Sequence, residues 1–149
     1  MYKESPALID DQTVETFQKD GVVLLKGVFK PWVDTLAQGI SELMANPSEY
    51  GFARTVIPKD GSAPFFQDYC NLPRIKTFED FVFNSLAAEF AARLMQSETA
   101  RFCHEHTLVK QTGGSTMTPW HHDQTYYCVD ARQNVSLSLS LDPVEQSIS

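Results

Sequence analysis

The sequence has few cysteines, no long apolar run and a shortage of positive charge. Its three cysteines, Cys70, Cys103 and Cys128, are odd in number and far apart, which argues against a disulfide framework or a Cys-x-x-Cys metal site. We expect them to be small buried apolar side chains in a reducing compartment. No apolar run is long enough to span a bilayer, and the N-terminal MYKESPALIDD lacks the apolar core of a signal peptide. The net charge of −7 disfavours nucleic acid and anionic membranes as partners. The cysteine usage makes the reducing cytoplasm the expected location.

The patterning predicts one α+β domain over residues 1–149. Helical spacing predicts helices over residues 10–21, 31–44, 78–83 and 86–95, with a short strand at 21–27 and a long loop over 48–65. Three further strands are predicted over residues 101–110, 120–129 and 134–141. The last of them, NVSLSLSL, alternates strictly and is typical of a half-buried strand.

All four histidines lie between residues 104 and 122, and two of them stand in TPWHHDQTYY, residues 118–127. Residues two apart on a strand point the same way, so His121 should share a face with Asp123, and His104 with His106. A His-x-Asp pair places an imidazole nitrogen near a carboxylate oxygen, which suits two adjacent positions of an octahedral metal. The facial triad of non-haem Fe(II) oxygenases uses this pair and one more histidine.

Taken alone, the His-x-Asp spacing is weak evidence, because most such pairs are polar residues that hydrogen-bond their neighbours. His104 and His106 have the same alternative. The aromatic residues around the motif, Trp120, Tyr126 and Tyr127, are more often packing residues than ligand contacts. A zinc hydrolase using these histidines is a further alternative, but the sequence has no HExxH motif.

The run FCHEHTLVKQTGGSTMTPWHHDQTYY, residues 102–127, resembles the phytanoyl-CoA dioxygenase (PhyH) family of Fe(II)/2-oxoglutarate-dependent oxygenases. That family has a Leu-Val-Lys-like segment, a glycine-bearing loop and a Thr-Pro-Trp-His-x-Asp-x-x-Tyr motif. GVVLLKGVF resembles its N-terminal strand, and residues 68–95 resemble a helical segment in a bacterial branch. VSLSLSLDPVEQ is similar to the next strand, with Ser138 where a tryptophan is usual. The resemblance covers nearly the whole chain and is most specific at the histidine motif.

The resemblance implies a double-stranded β-helix (a cupin-like jelly roll), an Fe(II) ion, 2-oxoglutarate as co-substrate and hydroxylation of a small molecule. It makes His121 and Asp123 the catalytic metal ligands, and it gives His122 no such role. The candidate cofactor-binding residues are His104, His106, Lys110 and Thr118. Thr118 is close in sequence to the metal motif, and Lys110 shares the expected inward parity of the two earlier histidines.

Two elements of the family pattern have no counterpart, namely the distal histidine and the later arginine that binds the far carboxylate of 2-oxoglutarate. The last histidine is His122 and the last arginine is Arg132. The resemblance therefore implies the N-terminal part of an oxygenase domain, cut inside the β-helix and inactive by itself, since two ligands hold a metal less tightly than three. The alternative is a non-catalytic module that oligomerises or binds a small molecule. Half of a jelly roll would expose strand edges and an apolar inner face, so we expect the chain either to self-associate into a homo-oligomer through those edges or to be poorly stable.

Overall fold

The computed structural model describes residues 9–127 and 129–143. Its helices are α1 (Asp11–Asp20), α2 (Val33–Ala45), α3 (Glu49–Arg54), α4 (Lys76–Asn84) and α5 (Ala87–Leu94); its strands are β1 (Phe65–Tyr69) and β2 (His106–Lys110); and two 3₁₀ helices span Lys30–Trp32 and Asp123–Tyr126. The mixture of helix and antiparallel sheet is the one predicted. No helix within the described ranges has the length and apolarity needed to cross a bilayer.

The four predicted helices are confirmed, with small shifts at their ends. Asp10 caps α1 by accepting a 2.8 Å hydrogen bond from the Thr13 amide, and Gly21, at φ 73°, ends the helix by donating to the Phe17 carbonyl. The predicted loop over residues 48–65 is wrong in part, because it contains α3. There the Ser48 hydroxyl accepts from the Gly51 amide and starts a short helix.

The sheet described by the structure has two antiparallel strands, with Phe65 opposite Lys110 and Tyr69 opposite His106. The strand predicted over residues 101–110 is confirmed in its second half. Val56 adds an isolated bridge to Phe65. A two-stranded sheet does not establish a jelly roll, which stays a prediction.

Three strand predictions are wrong within the described residues: 21–27, 120–129 (whose Cys128 lies outside the described residues) and 134–141. In the first, the alternation is real, since Val22 and Leu24 are 69% and 76% exposed whereas Val23 and Leu25 pack on the core. A strand also needs a hydrogen-bonded partner, and no described segment pairs with these residues. Alternation therefore identified the apolar face but not a partner.

The chain divides into two units, and the first contains the described residues within 9–34, 80–102 and 133–143. Its core consists of Ile9, Val14, Phe29, Phe90 and Leu94. The Phe29 ring meets the ring of Phe81 edge-on at 5.3 Å between centroids. Leu139 packs against this core, so the NVSLSLSL segment supplies an apolar contact without forming a strand.

The second unit, residues 35–79 and 103–132, contains the sheet, α3 and the histidine motif. Its buried apolar residues are Leu36, Leu43, Phe65, Phe66, Ile75 and Phe78. Two polar residues, Asp68 and Asn71, are fully buried among them. Cys70 and Cys103 are free and exposed, which corrects the expectation of buried thiols. Cys70 directly follows β1, and Cys103 lies three residues before β2.

Candidate metal centre

The His-x-Asp pair of the motif is brought together by a turn. Nε2 of His121 lies 3.4 Å from Oδ1 of Asp123, and the two side chains are 39% and 48% exposed. His122 between them has extended backbone, and Asp123 then begins a 3₁₀ helix. The two groups therefore converge at the start of a helical turn rather than on one face of a strand.

The orientation of the His121 ring is fixed by the backbone just before it. Its Nδ1 lies 2.8 Å from the carbonyl oxygen of Pro119. A carbonyl can only accept, so Nδ1 carries the proton, and in the neutral ring Nε2 is left as an acceptor. Metal-binding histidines have this arrangement, in which one nitrogen donates to a carbonyl and the other is presented to the metal.

An open cavity of about 310 Å³ adjoins the pair and is lined by Thr118, Pro119, Trp120 and His121. The Trp120 side chain is fully exposed at its rim, and the ring of Tyr126 stands edge-on to His121 at 5.8 Å. Thr118, predicted to contact a co-substrate, thus shares a cavity with the predicted metal ligand.

His106 begins β2 and His104 lies two residues before it, and the ring of each contacts a tyrosine. The rings of His104 and Tyr127 are 4.7 Å apart, and those of His106 and Tyr69 are 5.3 Å apart. Partial burial lowers the pKa of His106, and the nearby His104 lowers it further, whereas Asp123 and Asp68 oppose the shift. His106 is therefore within electrostatic reach of the Asp123 carboxylate.

Lys110 lies at the other end of β2, and its Nζ stands 5.6 Å from the centre of the Phe65 ring, a cation–π distance. His106, Leu108 and Lys110 form the exposed face of this strand, while Thr107 is buried on the opposite face. The inward parity expected for His106 and Lys110 is therefore wrong, because the apolar cover of the sheet lies on the other side.

Within residues 9–127 and 129–143, no group of three or more His, Cys, Asp or Glu side chains is arranged to hold a metal ion. The structure brings together a pair of candidate ligands. Sequence reasoning missed Glu105, whose carboxylate accepts from the amides of Asn71 and Leu72 and so fixes the entry to β2. The sequence signal that could have identified Glu105 is its position between two histidines, His104 and His106.

This chain, which combines helices with an antiparallel sheet and brings a His-x-Asp pair together, was compared with known protein families. The family model of phytanoyl-CoA dioxygenase (PhyH) matches residues 17–147. The chain belongs to this family, which confirms the resemblance inferred from the histidine motif and relates the chain to oxygenase-type enzymes. No match was found among curated proteins or among solved structures.

Proposed function

We propose that this protein is an Fe(II)/2-oxoglutarate-dependent oxygenase that hydroxylates a small molecule. The observation that carries the proposal is the 3.4 Å approach of His121 Nε2 to Asp123 Oδ1, with the other nitrogen of the ring bound to a carbonyl. Two acceptors this close are unfavourable unless a proton or a cation lies between them. Membership of the PhyH family makes ferrous iron the cation that we assign.

The donor set fits this metal, because one imidazole nitrogen and one carboxylate oxygen are two thirds of a facial triad. His121 and Asp123 would hold the ion. The Pro119 carbonyl would keep the imidazole in the tautomer and orientation that present Nε2. When bound, iron supplies the O₂ chemistry that oxidises 2-oxoglutarate and hydroxylates a C–H bond of the substrate.

We assign 2-oxoglutarate to the cavity beside His121. The Thr118 hydroxyl lines this cavity and can donate to a carboxylate there. His104 and His106 are the further candidates for positioning the co-substrate, supported by the electrostatic coupling of His106 to Asp123. Lys110 contacts Phe65 instead and has no part in this assignment.

We propose that β1 and β2 belong to a double-stranded β-helix. The support is that the two strands pair in antiparallel register and that β2 leads along the chain into the glycine-bearing loop and then the His-x-Asp turn. Hydrogen exchange would test it. Slow exchange of the outward amides of β2 is expected if a further strand covers them.

Anaerobic titration with Fe(II) and 2-oxoglutarate tests the iron assignment. We expect a weak metal-to-ligand charge-transfer absorption band in the visible range. His121→Ala and Asp123→Ala should each abolish it, whereas His122→Ala, a neighbouring exposed histidine, should retain it. A band that survives in the double variant His121→Ala/Asp123→Ala would contradict the assignment.

A second candidate is a non-catalytic module that binds a small molecule or oligomerises, with this chain inactive as an enzyme. The observation that favours it is that the described residues supply two convergent ligands rather than three. Succinate formation from 2-oxoglutarate separates the two candidates. Turnover that depends on His121 excludes the second, and 2-oxoglutarate binding without turnover supports it.

A further inference from the structure

A second cavity in the same unit, about 420 Å³, lies between the start of α3 and the segment that follows β1. This volume is in the range of small-molecule pockets. Its walls include Glu49, Tyr50, Tyr69, Cys70 and Arg74. None of these residues is assigned to the iron site proposed above, although the Tyr69 ring contacts that of His106.

Arg74 supplies a positioned cation to this cavity. Its Nη1 donates to Oδ1 of Asn71 at 2.6 Å, and its Nη2 donates to the carbonyl of Asn46 at 2.8 Å. Both acceptors are neutral, and no carboxylate among the described residues makes an ion pair with this guanidinium. Arginine has five N–H donors, so the fork is held in place while donors and charge stay available for an anion.

The residue that holds Arg74 is itself fixed. Asn71 is fully buried, its side-chain amide donates to the Tyr69 carbonyl at 3.1 Å, and its backbone amide donates to the carboxylate of Glu105. The Glu105 carboxylate is thereby engaged by backbone amides rather than by the guanidinium. Arg74 is itself exposed, but the side chain that accepts from its Nη1 belongs to a buried network, and this network orients the guanidinium.

Two aromatic rings line the cavity beside this cation. Tyr50 and Tyr69 are stacked, with centroids 5.4 Å apart and an interplanar angle of 24°. Tyr50 is 56% exposed, which leaves apolar ring surface open to a ligand. Stacked rings next to a cation suit a ligand with a flat apolar body and an anionic end.

Asp68 of β1 anchors the start of α3, which forms one wall of the cavity, to the sheet. This buried carboxylate accepts from the Ser48 amide at 2.8 Å and from the Ser48 hydroxyl, which also accepts from the Gly51 amide. The start of α3, which carries Glu49 and Tyr50, is thus fixed to β1, which carries Tyr69. The cavity is preformed by hydrogen bonds that do not involve any ligand.

We propose that this cavity binds a small monocarboxylate, with the carboxylate on Arg74 and an aromatic or flat apolar body against Tyr50 and Tyr69. The Glu49 carboxylate on the same wall disfavours a second negative charge, so a dianion such as 2-oxoglutarate or a phosphate ester is a poorer ligand. The binding inference does not depend on iron.

Metal-free protein and phenylacetate provide the test, with ligand-observed NMR as the readout. We expect a dissociation constant of roughly 1 mM for so small a ligand. Arg74→Gln should weaken binding by about tenfold or more, the usual size of a charge-assisted hydrogen bond. Arg54→Gln, which removes an exposed arginine outside the cavity, should leave binding unchanged. Neutral phenylacetamide should bind at least about tenfold more weakly than phenylacetate.

Tyr50→Ser keeps the test decisive if Arg74→Gln does not fold, because an exposed tyrosine can be replaced with little loss of packing. It should also weaken phenylacetate binding. Unchanged binding in a folded Arg74→Gln or Tyr50→Ser protein would overturn the proposal, as would equal affinity for phenylacetamide. Binding of 2-oxoglutarate that is tighter than that of phenylacetate and is weakened by Arg74→Gln would also overturn it. Since no metal is added, this outcome is independent of the iron titration, and either proposal can fail alone.

Discussion

Nε2 of His121 and Oδ1 of Asp123 lie 3.4 Å apart, and the remaining ring nitrogen of His121 donates to the Pro119 carbonyl. The backbone thus chooses which nitrogen faces the carboxylate. When the imidazole is neutral, its Nε2 and the carboxylate oxygen offer lone pairs to the same point, so the pair can supply two ligands to a cation.

Asp123→Asn should weaken Fe(II) binding by at least about tenfold. The amide keeps an oxygen in place but removes the negative charge, and loss of even an outer-sphere partner commonly weakens metal affinity by about 10–100-fold. Anaerobic calorimetry with Fe(II) measures the effect. Asp130→Asn removes one exposed carboxylate seven residues later and is the matched control. Equal Fe(II) affinity in the two variants would rule out Asp123 as a ligand.

Asp68→Asn should lower the free energy of unfolding by about 1–3 kcal/mol at pH 7. The carboxylate is fully buried and accepts hydrogen bonds from Ser48 and from the Tyr69 amide. In the asparagine, an NH₂ group would replace one carboxylate oxygen and face hydrogen-bond donors instead of acceptors. Urea unfolding gives the value. Asp130→Asn again serves as control and should unfold like the unchanged protein.

The same carboxylate makes stability depend on pH. Burial raises the pKa of Asp68, but hydrogen bonds from Ser48, Asn71 and Tyr69 outweigh it and lower the pKa below the ordinary 3.8. A lowered native pKa means that the stabilisation is complete above about pH 4 and is lost as the pH falls through the native pKa. The stability deficit of Asp68→Asn should therefore shrink between neutral pH and about pH 3. A deficit that stays constant over this range would contradict the assignment.

The helices were predictable from the sequence because their signals are local. Asp10 and Gly21 bound α1 through a cap and a left-handed residue, both of which depend only on neighbouring residues. Strands depend on a partner that periodicity does not specify. Residues 134–141 alternate strictly, yet Leu139 packs on a helical core and these residues are not part of the sheet that the structure describes.

The candidate site was likewise predictable from the sequence only in part. The motif TPWHHDQTYY identified the residues and the family, but the reason given for their proximity was wrong, because a 3₁₀ turn rather than a strand brings them together. The cavity around Arg74 was not predictable, since Asn46, Asn71 and Tyr50 are separated along the chain and meet only when α3 and β1 pack.

Gly39→Ala should lower the free energy of unfolding by about 1–3 kcal/mol, although alanine favours a helix by about 1 kcal/mol over glycine. A Cβ on Gly39 would overlap the Thr77 hydroxyl and lie 2.9 Å from Cε1 of Phe78 and 3.1 Å from Cγ2 of Ile75. Thermal unfolding measures the loss, and Gln38→Ala, on an exposed neighbour, should cause none.

Thr77→Ala offers a rescue for that variant. Its hydroxyl is buried and makes no hydrogen bond within the part of the chain that the structure describes, so its removal forfeits little and clears the space that the new Cβ needs. The double variant Gly39→Ala/Thr77→Ala should be more stable than Gly39→Ala alone. Equal stability of the two would show that the clash lies with Phe78 or Ile75 rather than with the Thr77 hydroxyl.

Leu108→Lys should reduce self-association of this chain. Leu108 is 54% exposed on β2, whose only partner within the described ranges is β1, and an apolar strand edge of this kind pairs with other chains unless a charge blocks it. Light scattering after size exclusion, at several protein concentrations, should show a mass that rises with concentration for the unchanged protein and stays nearer the monomer for Leu108→Lys. Leu24→Lys replaces a leucine that is 76% exposed outside any described strand and should leave the association unchanged. A constant monomer mass for the unchanged protein would refute association through this edge, and equal effects of the two lysines would assign it to net charge rather than to strand pairing.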